Sequence, residues 1–230
     1  MKQDKNILHD GSRTNLSGTK HIAMGEAISF ADIKKASRHF GVTINDVMMC
    51  ALSNALAEYF EEQKDTSKQI NIIIPANIRW KMYKTFENVV LENKFAPVAL
   101  KLPLIKDPKQ ALAQIKRLTT KLRKSFPITY CMYLVSTVTA MFLPGFVCTK
   151  LNAELSTCFT LAFSNTPGNL RPITMGGVPN EGMFTCVMPA GKVAICISAL
   201  SYGEHIRISM TADSAVLSDE GTHTIHRLVE

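Results

Sequence analysis

The strongest constraint on the fold is the helical pattern of residues 44–60, INDVMMCALSNALAEYF. Its apolar residues recur at the i, i+3, i+4, i+7 spacing of one helix face. Thr43 stands immediately before the pattern and predicts an N-terminal cap. Because a helix with a continuous apolar face must bury it, this helix requires a sheet or a second helix to pack against.

Residues at helix ends predict further helices. Ser29 caps a short helix that Gly41 ends, and Asp107 followed by Pro108 opens a longer one that Pro127 stops. The longer helix is strongly basic, with lysine or arginine at positions 106, 109, 116, 117, 121, 123 and 124. A closing helix is expected from residue 218, where acidic residues favour an N-terminus.

Strands are predicted between these helices. Residues 70–74 form a central strand that Pro75 closes, and residues 93–104 form a second strand whose prolines indicate an exposed or interrupted edge. The last third predicts a four-strand meander of STCFTLAFS, MFTCVMP, VAICISALSY and HIRISMTAD. Helices alternating with strands predict an α/β class, more closely an α+β sandwich in which helices pack on a mixed β-sheet.

Residues 128–148, ITYCMYLVSTVTAMFLPGFVC, carry no charge over a length that could cross a bilayer as one helix. Their hydroxyl side chains and the Pro144-Gly145 break lower the hydropathy. A buried or membrane-apposed helical pair is therefore favoured over a transmembrane helix.

Composition and charge narrow the function classes. The formal net charge of +7 favours an anionic partner, but no nucleic-acid-binding signature accompanies it, so no nucleic-acid partner is expected. Six cysteines without a C-x-x-C pair favour reduced, buried thiols over disulfides or a zinc site. The hydrophilic N-terminus is no secretory signal and predicts an intracellular protein.

No catalytic or cofactor motif is present in the sequence. G-x-S-x-G, G-x-G-x-x-G and a Walker loop do not occur. Four histidines lie in polar, surface-helix or strand-start contexts, and His223 with His226 indicates a solvated helix face rather than a metal site. We therefore expect no catalytic residue, no metal and no bound cofactor in this chain.

Four segments, GVTINDVMMCALSNALAEYF, PANIRW, FSNTPG and ISALSYGEHIRISMTAD, occur in this order along the chain. Together they resemble the C-terminal half of the wax ester synthase/diacylglycerol acyltransferase family. The resemblance covers residues 18–230 and leaves a polar N-terminal segment, residues 1–17. It implies one α/β half of a chloramphenicol acetyltransferase-like fold, with a substrate channel between two halves. It also implies transfer of a fatty acyl group from acyl-CoA, as co-substrate, to a long-chain alcohol or diacylglycerol.

The family's general base is missing from this sequence. That base is the second histidine of an HHxxxDG motif in the N-terminal half, and the nearest match, Leu8-His9-Asp10-Gly11, lacks the paired histidine and the spacing. We expect that the N-terminal catalytic half is a missing partner and that the chain alone is inactive. A noncatalytic lipid-binding or interaction module is the alternative, and a different acceptor, as in alcohol acetyltransferases or condensation domains, stays open.

The resemblance implies that the chain supplies one wall of the channel. Asn45 and Asp46 match an Asn-Asp pair in which Asn45 orients a loop, whereas Asp46 is favoured as a helix cap. Asn77 and Arg79 match a loop after a strand, where Arg79 bridges the halves, meets a CoA phosphate or lies on the surface.

The Ser-Asn-x-Pro-Gly turn completes this wall with Ser164, Asn165, Pro167 and Gly168. A residue without Cβ permits close approach of substrate, and the asparagine amide can hydrogen-bond the reacting carbonyl. These residues are the remaining substrate-binding candidates.

A membrane surface is the last expected partner, because acceptors of this class dissolve in lipid. The basic helix precedes the uncharged stretch directly, so headgroup attraction and apolar insertion can act on adjacent surface. We expect peripheral association with the plasma membrane or endoplasmic reticulum, with a buried stretch and a solvated lysine face as the alternative.

Overall fold

The computed structural model describes residues 3–11, 16–79 and 94–217, which form eight strands and five helices. The strands are β1 (Lys20–Ser29), β2 (Gln69–Asn77), β3 (Phe95–Pro103), β4 (Leu161–Thr166), β5 (Thr174–Met175), β6 (Val178–Pro179), β7 (Ile195–Tyr202) and β8 (His205–Asp213). The helices are α1 (Phe30–Phe40), α2 (Ile44–Glu62), α3 (Pro108–Lys124), α4 (Phe126–Phe142) and α5 (Gly145–Ser156).

Six strands form a mixed sheet in the order β1-β8-β7-β4-β2-β3. β4 runs parallel to both β2 and β7, and the other neighbours are antiparallel. β5 and β6 form a separate hairpin through Gly176 and Gly177, whose φ angles of 59° and 83° suit a two-residue turn. The predicted mixed sheet with helices packed on it is confirmed.

Local capping fixes the starts of the three helices that cover one face of the sheet. The side chains of Ser29, Thr43 and Asp107 accept hydrogen bonds from the first turns of α1, α2 and α3, as the sequence predicts. α3 ends before Pro127, which lies in the first turn of α4 instead. Buried residues of these helices join alternate residues of the strands in one core, including Leu56, Phe60, Ile72, Ile115, Ile197 and Met210.

The opposite face of the sheet is lined by hydroxyls and is crossed by an irregular segment, residues 180–193. Ser198 Oγ donates to the Thr185 carbonyl oxygen over 2.7 Å, and Ser209 Oγ donates to the same oxygen. The predicted strand over 183–189 is therefore wrong. β7 and β8 already have a strand on each side, so this segment has no edge to join and lies across the face. The predicted four-strand meander is reduced to the β7–β8 hairpin.

Two further parts of the chain, β1 and the end of β2, differ from the sequence prediction. β1 was not predicted: its Ile22 and Met24 are exposed while Ala23 is buried, which reverses the usual pattern. β2 continues past Pro75, because this proline lies opposite Pro97 and beyond the last residue that pairs with β4. The predicted closing helix from residue 218 lies outside the described residues.

The uncharged stretch forms α4 and α5, which are separated by Leu143 and Pro144. Among the described residues no single helix is both long and apolar enough to cross a membrane. Two bent helix pairs reach that length and composition: α1 with α2, and α3 with Thr129–Phe142. All six cysteines are free thiols, as predicted, but only Cys50 and Cys196 are buried; Cys148, Cys158 and Cys186 are half-buried and Cys131 is exposed.

The Asp213 carboxylate holds residues 17–20 against the end of β8 through hydrogen bonds and an ion pair. It is fully buried and accepts hydrogen bonds from the Ser17 backbone N–H and hydroxyl and from the Gly18 N–H, and it pairs with Lys20. Burial alone would raise the pKa of this carboxyl, but the hydrogen bonds outweigh burial and hold the pKa well below its ordinary value.

Replacing Asp213 with Asn should lower the free energy of unfolding by about 2 to 3 kcal/mol at neutral pH, because charge-assisted hydrogen bonds are lost. The folded-state pKa lies below the unfolded value of about 3.9. The stabilisation by Asp213 is thus complete above that pH and is lost as the pH falls below it. Urea denaturation at pH 7 and pH 3 should show the difference between parent and variant shrinking in acid. An equal difference at both pH values would contradict this account, and exposed Asp32→Asn is the control.

Gly168, just beyond β4, is expected to tolerate no side chain. Its N–H donates to Ser201 Oγ over 3.0 Å, and a Cβ at this position would lie 2.0 Å from the Ser201 carbonyl oxygen. Gly168→Ala should therefore destabilise the fold by about 1 to 3 kcal/mol, as overpacking does. Gly145→Ala is the matched control, since its added methyl meets no heavy atom within 4 Å. Equal melting temperatures for both variants would refute the close packing.

Candidate functional site

A cleft of about 630 Å³ lies on the hydroxyl-lined face, towards the carboxyl ends of β2 and β4. These two strands pair only at Ile72 with Leu161 and Ile73 with Ala162, and then separate. Alternate residues of the strands form the floor, namely Ile73, Pro75 and Asn77 of β2, Phe95 and Pro97 of β3, and Ala162, Ser164 and Thr166 of β4. The carboxyl ends of parallel strands are the usual ligand site of such sheets.

The wall of the cleft combines α5 with residues 187–191. Ser156 at the end of α5 accepts a hydrogen bond from the Lys192 N–H over 2.7 Å. Gly191 has a φ of 64°, and a Cβ there would lie 2.5 Å from Ser156 Oγ. The segment is thus held against α5, and it presents Val187, Met188 and Pro189 to the cleft.

Five of the eight predicted substrate-binding residues line this cleft: Asn77, Arg79, Ser164, Asn165 and Pro167. Two motifs that are far apart in the sequence therefore converge on one cavity. Gly168 is not among the lining residues, and the space beside its Cα is filled by β7 rather than open to a ligand.

Asn45 and Asp46 lie at the start of α2 and do not line the cleft. The Asp46 carboxylate accepts from the Thr43 N–H over 2.8 Å while Thr43 Oγ1 accepts from the Asp46 N–H over 3.2 Å. The predicted capping role of Asp46 is confirmed by this reciprocal pair. Arg123 lies 3.8 Å from the same carboxylate.

Ser164 and Asn165 present polar groups that the described protein does not use. Their side chains form no hydrogen bond with any residue that the structure describes. By contrast, the buried amide of Asn71 donates to the Cys158 carbonyl over 3.1 Å. Ser164 and Asn165 are half-buried at the cleft, so both can bond to a ligand.

Charged and ionisable groups at the cleft are few. Arg79 and Lys94 bring two cations to the end formed by β2 and β3. The Asn77 side-chain oxygen accepts from the Arg79 N–H over 3.0 Å and shapes the backbone there. Cys196 lies on the floor, and burial raises the pKa of its thiol to about 12. A thiol that stays protonated is a poor nucleophile.

His9 does not line this cleft and is buried, contrary to its predicted polar context. Its Nδ1 accepts from the Gly11 N–H over 3.0 Å, and its backbone pairs with Asn6. Asn6 in turn bonds to Thr160, just before β4 begins, so His9 lies at the amino end of that strand. No histidine within residues 3–11, 16–79 and 94–217 lines the cleft, and no cluster there could hold a metal ion.

The sequence did not predict the wall of the cleft. Residues 187–189 fall in the strand predicted over 183–189, although Pro189 and the nearby Gly191 indicate irregular backbone. Asn152 and Ser156 of α5 also line the cavity. No sequence pattern marked them, because only the packing of α5 brings them there.

Comparison with known proteins places this fold among acyltransferase-like structures. The chain is similar to the wax ester synthase/diacylglycerol acyltransferase from Marinobacter aquaeolei VT8, with a TM-score of 0.68 and 17% identity over 98% of this chain and 50% of that one. It is also similar to the epimerization domain from the third module of tyrocidine synthetase B, with a TM-score of 0.55 and 13% identity over 91% of this chain and 45% of that one. A condensation domain that mediates chain release from the enacyloxin polyketide synthase gives a TM-score of 0.53 and 11% identity over 91% and 39% of the two chains.

At these identities the solved structures establish the fold, and this chain spans about half the length of the Marinobacter protein. A protein-family model assigns the chain more specifically, to a family as well as to a fold. The model described as the WS/DGAT C-terminal domain matches residues 91–226, which include β3, β4, the cleft wall and the β7–β8 hairpin. The resemblance in the sequence is thereby confirmed, and the chain belongs to the WS/DGAT C-terminal domain family.

Proposed function

We propose that this chain is the C-terminal domain of an O-acyltransferase that moves a fatty acyl group from acyl-CoA to a long-chain alcohol or diacylglycerol. The observation that carries the proposal is the convergence of Asn77, Arg79, Ser164 and Asn165 on one cleft with apolar walls. Family membership supports the acyltransferase class.

The cleft has the chemistry that an acyl thioester requires. Apolar side chains of Ile73, Phe95, Val187 and Met188 line it, and each methylene of an acyl chain buried there contributes about 0.8 kcal/mol. The unused Asn165 amide can donate to the thioester carbonyl oxygen as negative charge develops. The cations at the β2–β3 end suit the phosphates of CoA.

The acceptor hydroxyl needs a base, and the described part of this cleft contains no histidine. We therefore assign the base to a separate N-terminal half that carries the HHxxxDG motif. In this scheme, the hydroxyl oxygen attacks the thioester carbonyl, its proton passes to that histidine, and the CoA thiolate leaves and takes up the proton.

A noncatalytic lipid-binding module is the second candidate function. The apolar cleft and the absence of HHxxxDG from the sequence favour it. The two functions are distinguished by turnover after an N-terminal half has been supplied, because a binding module would hold acyl-CoA without forming an ester.

The chain alone should bind palmitoyl-CoA but should form no ester, because it supplies the wall and not the base. Purified protein would be incubated with palmitoyl-CoA and hexadecanol or diacylglycerol, with chromatography for product and calorimetry for binding. Ester formation that survives further purification would refute the assignment of the base to a separate N-terminal half. Failure to bind palmitoyl-CoA would refute the assignment of the cleft.

Asn165→Ala should reduce turnover in a fusion of this chain with a family N-terminal half that carries HHxxxDG. Loss of one donor to a developing oxyanion lowers kcat by about 10²- to 10³-fold, with an unchanged melting temperature. The matched control is Asn169→Ala, since Asn169 lies outside the cleft lining. Unchanged kinetics in the folded Asn165 variant would show that this asparagine only shapes the turn.

A further inference from the structure

The end of α4 and the whole of α5 leave large apolar side chains exposed on the described part of the chain. No residue from 133 to 156 is buried. Val135, Met141, Phe142 and Phe146 are 65%, 74%, 80% and 77% exposed. Helices this apolar are ordinarily enclosed by a protein core or by lipid, and an apolar patch of this kind marks an interaction surface. We call α4 and α5 together the helical arm.

The charge of the chain is concentrated beside this arm. α3, α4 and α5, residues 108–156, contain seven lysines and arginines and one acidic residue, Glu154, so +6 of the formal net charge of +7 lies in these helices. Lys116, Arg117, Lys121 and Lys124 line a shallow concavity of α3 together with Ser125, the residue that precedes α4. None of these four cations forms an ion pair with a residue that the structure describes.

We propose that the helical arm docks on an anionic lipid bilayer, with the basic concavity of α3 over the headgroups. A bilayer accounts for both the exposed apolar side chains and the neighbouring cations. The apolar side chains enter the acyl boundary, and the cations contact phosphate and carboxylate groups. The arm is broken at Leu143 and Pro144, and α3 meets Thr129–Phe142 at a bend of 62°. This shape suits helices that lie in the interface.

A second copy of the chain fits this surface less well than a bilayer does. Self-association through the arm would cover the apolar side chains but would bring together two sets of helices that each carry a net charge of +6. An anionic bilayer covers the same side chains and neutralises the charge. Self-association is accordingly an outcome that the experiment must detect.

Docking would also bring the cleft to the membrane surface. Asn152 and Ser156 near the end of α5 line the cleft, so the arm connects the bilayer to the cavity. An acceptor that partitions into lipid could then approach without crossing bulk water. This delivery role rests on the proposed acyl transfer, whereas the docking itself does not.

Vesicle sedimentation tests docking without any enzymatic reaction. The chain should sediment with phosphatidylcholine vesicles that contain phosphatidylserine, should bind pure phosphatidylcholine vesicles less well, and should be partly released by about 1 M salt. Replacing Lys116, Arg117, Lys121 and Lys124 with Gln should weaken binding to anionic vesicles on the order of a hundredfold at low salt. The control with the same charge change places Gln at four exposed cations elsewhere, Lys34, Lys35, Arg38 and Lys68, and should change binding little.

The contribution of the apolar side chains to vesicle binding is tested by Phe142→Ser combined with Phe146→Ser. This variant should bind the anionic vesicles about tenfold more weakly or worse, because apolar burial is lost, and salt should release nearly all the protein that still binds. Leu170→Ser with Met175→Ser is the control, because these residues are exposed and do not belong to the arm. Circular dichroism verifies folding, and light scattering reports the oligomeric state.

Three results would overturn the proposal. The first is equal recovery of the parent chain in the supernatant with and without anionic vesicles. The second is equal loss of binding in the test and control variants. The third is a dimer that dissociates when Phe142 and Phe146 are replaced while vesicle binding is unchanged, which would assign the arm to self-association.

Discussion

The cleft depends on the shortness of the parallel ladder between β2 and β4, which consists of two residue pairs. Each strand is held over most of its length by its other neighbour, β2 by β3 over nine pairs and β4 by β7 over six. The sheet can therefore part between β2 and β4 without loss of either strand. Backbone groups must be hydrogen-bonded when buried, and these outer ladders satisfy that requirement beside an open cavity.

The two faces of the sheet meet different requirements. The face under α1, α2 and α3 is apolar and unites the strands with the helices in one core. The opposite face carries Ser198, Ser209 and the cleft. A polar face of this kind can hold an irregular segment through side-chain hydrogen bonds, and it leaves groups such as the Ser164 hydroxyl available. The core face provides stability, and the hydroxyl-lined face provides the site.

The sequence predicted best those features that are decided within a few residues. Caps at Ser29, Thr43 and Asp107 act over one helical turn, and all three mark the helix starts in the structure. The strand predicted over 183–189 failed because strand formation requires a free edge, which depends on the order of distant strands. β1 was missed because its apolar Ile22 and Met24 face outward. At the site, the resemblance grouped Asn77 with Ser164 and Asn165, but the wall of α5 and residues 187–191 arises only from packing.

The attachment of residues 180–193 has a consequence for how this cavity can diversify. The segment is held by serine and tyrosine hydroxyls that bond to its Thr185 and Asn180 carbonyl oxygens, and backbone carbonyls are present whatever the side chains are. Val187, Met188 and Pro189 can therefore be exchanged for smaller or larger residues while every strand keeps its ladder. Residues 187–189 line the cavity and set its width. Substitutions there can change the selectivity for ligand size without a change in the fold.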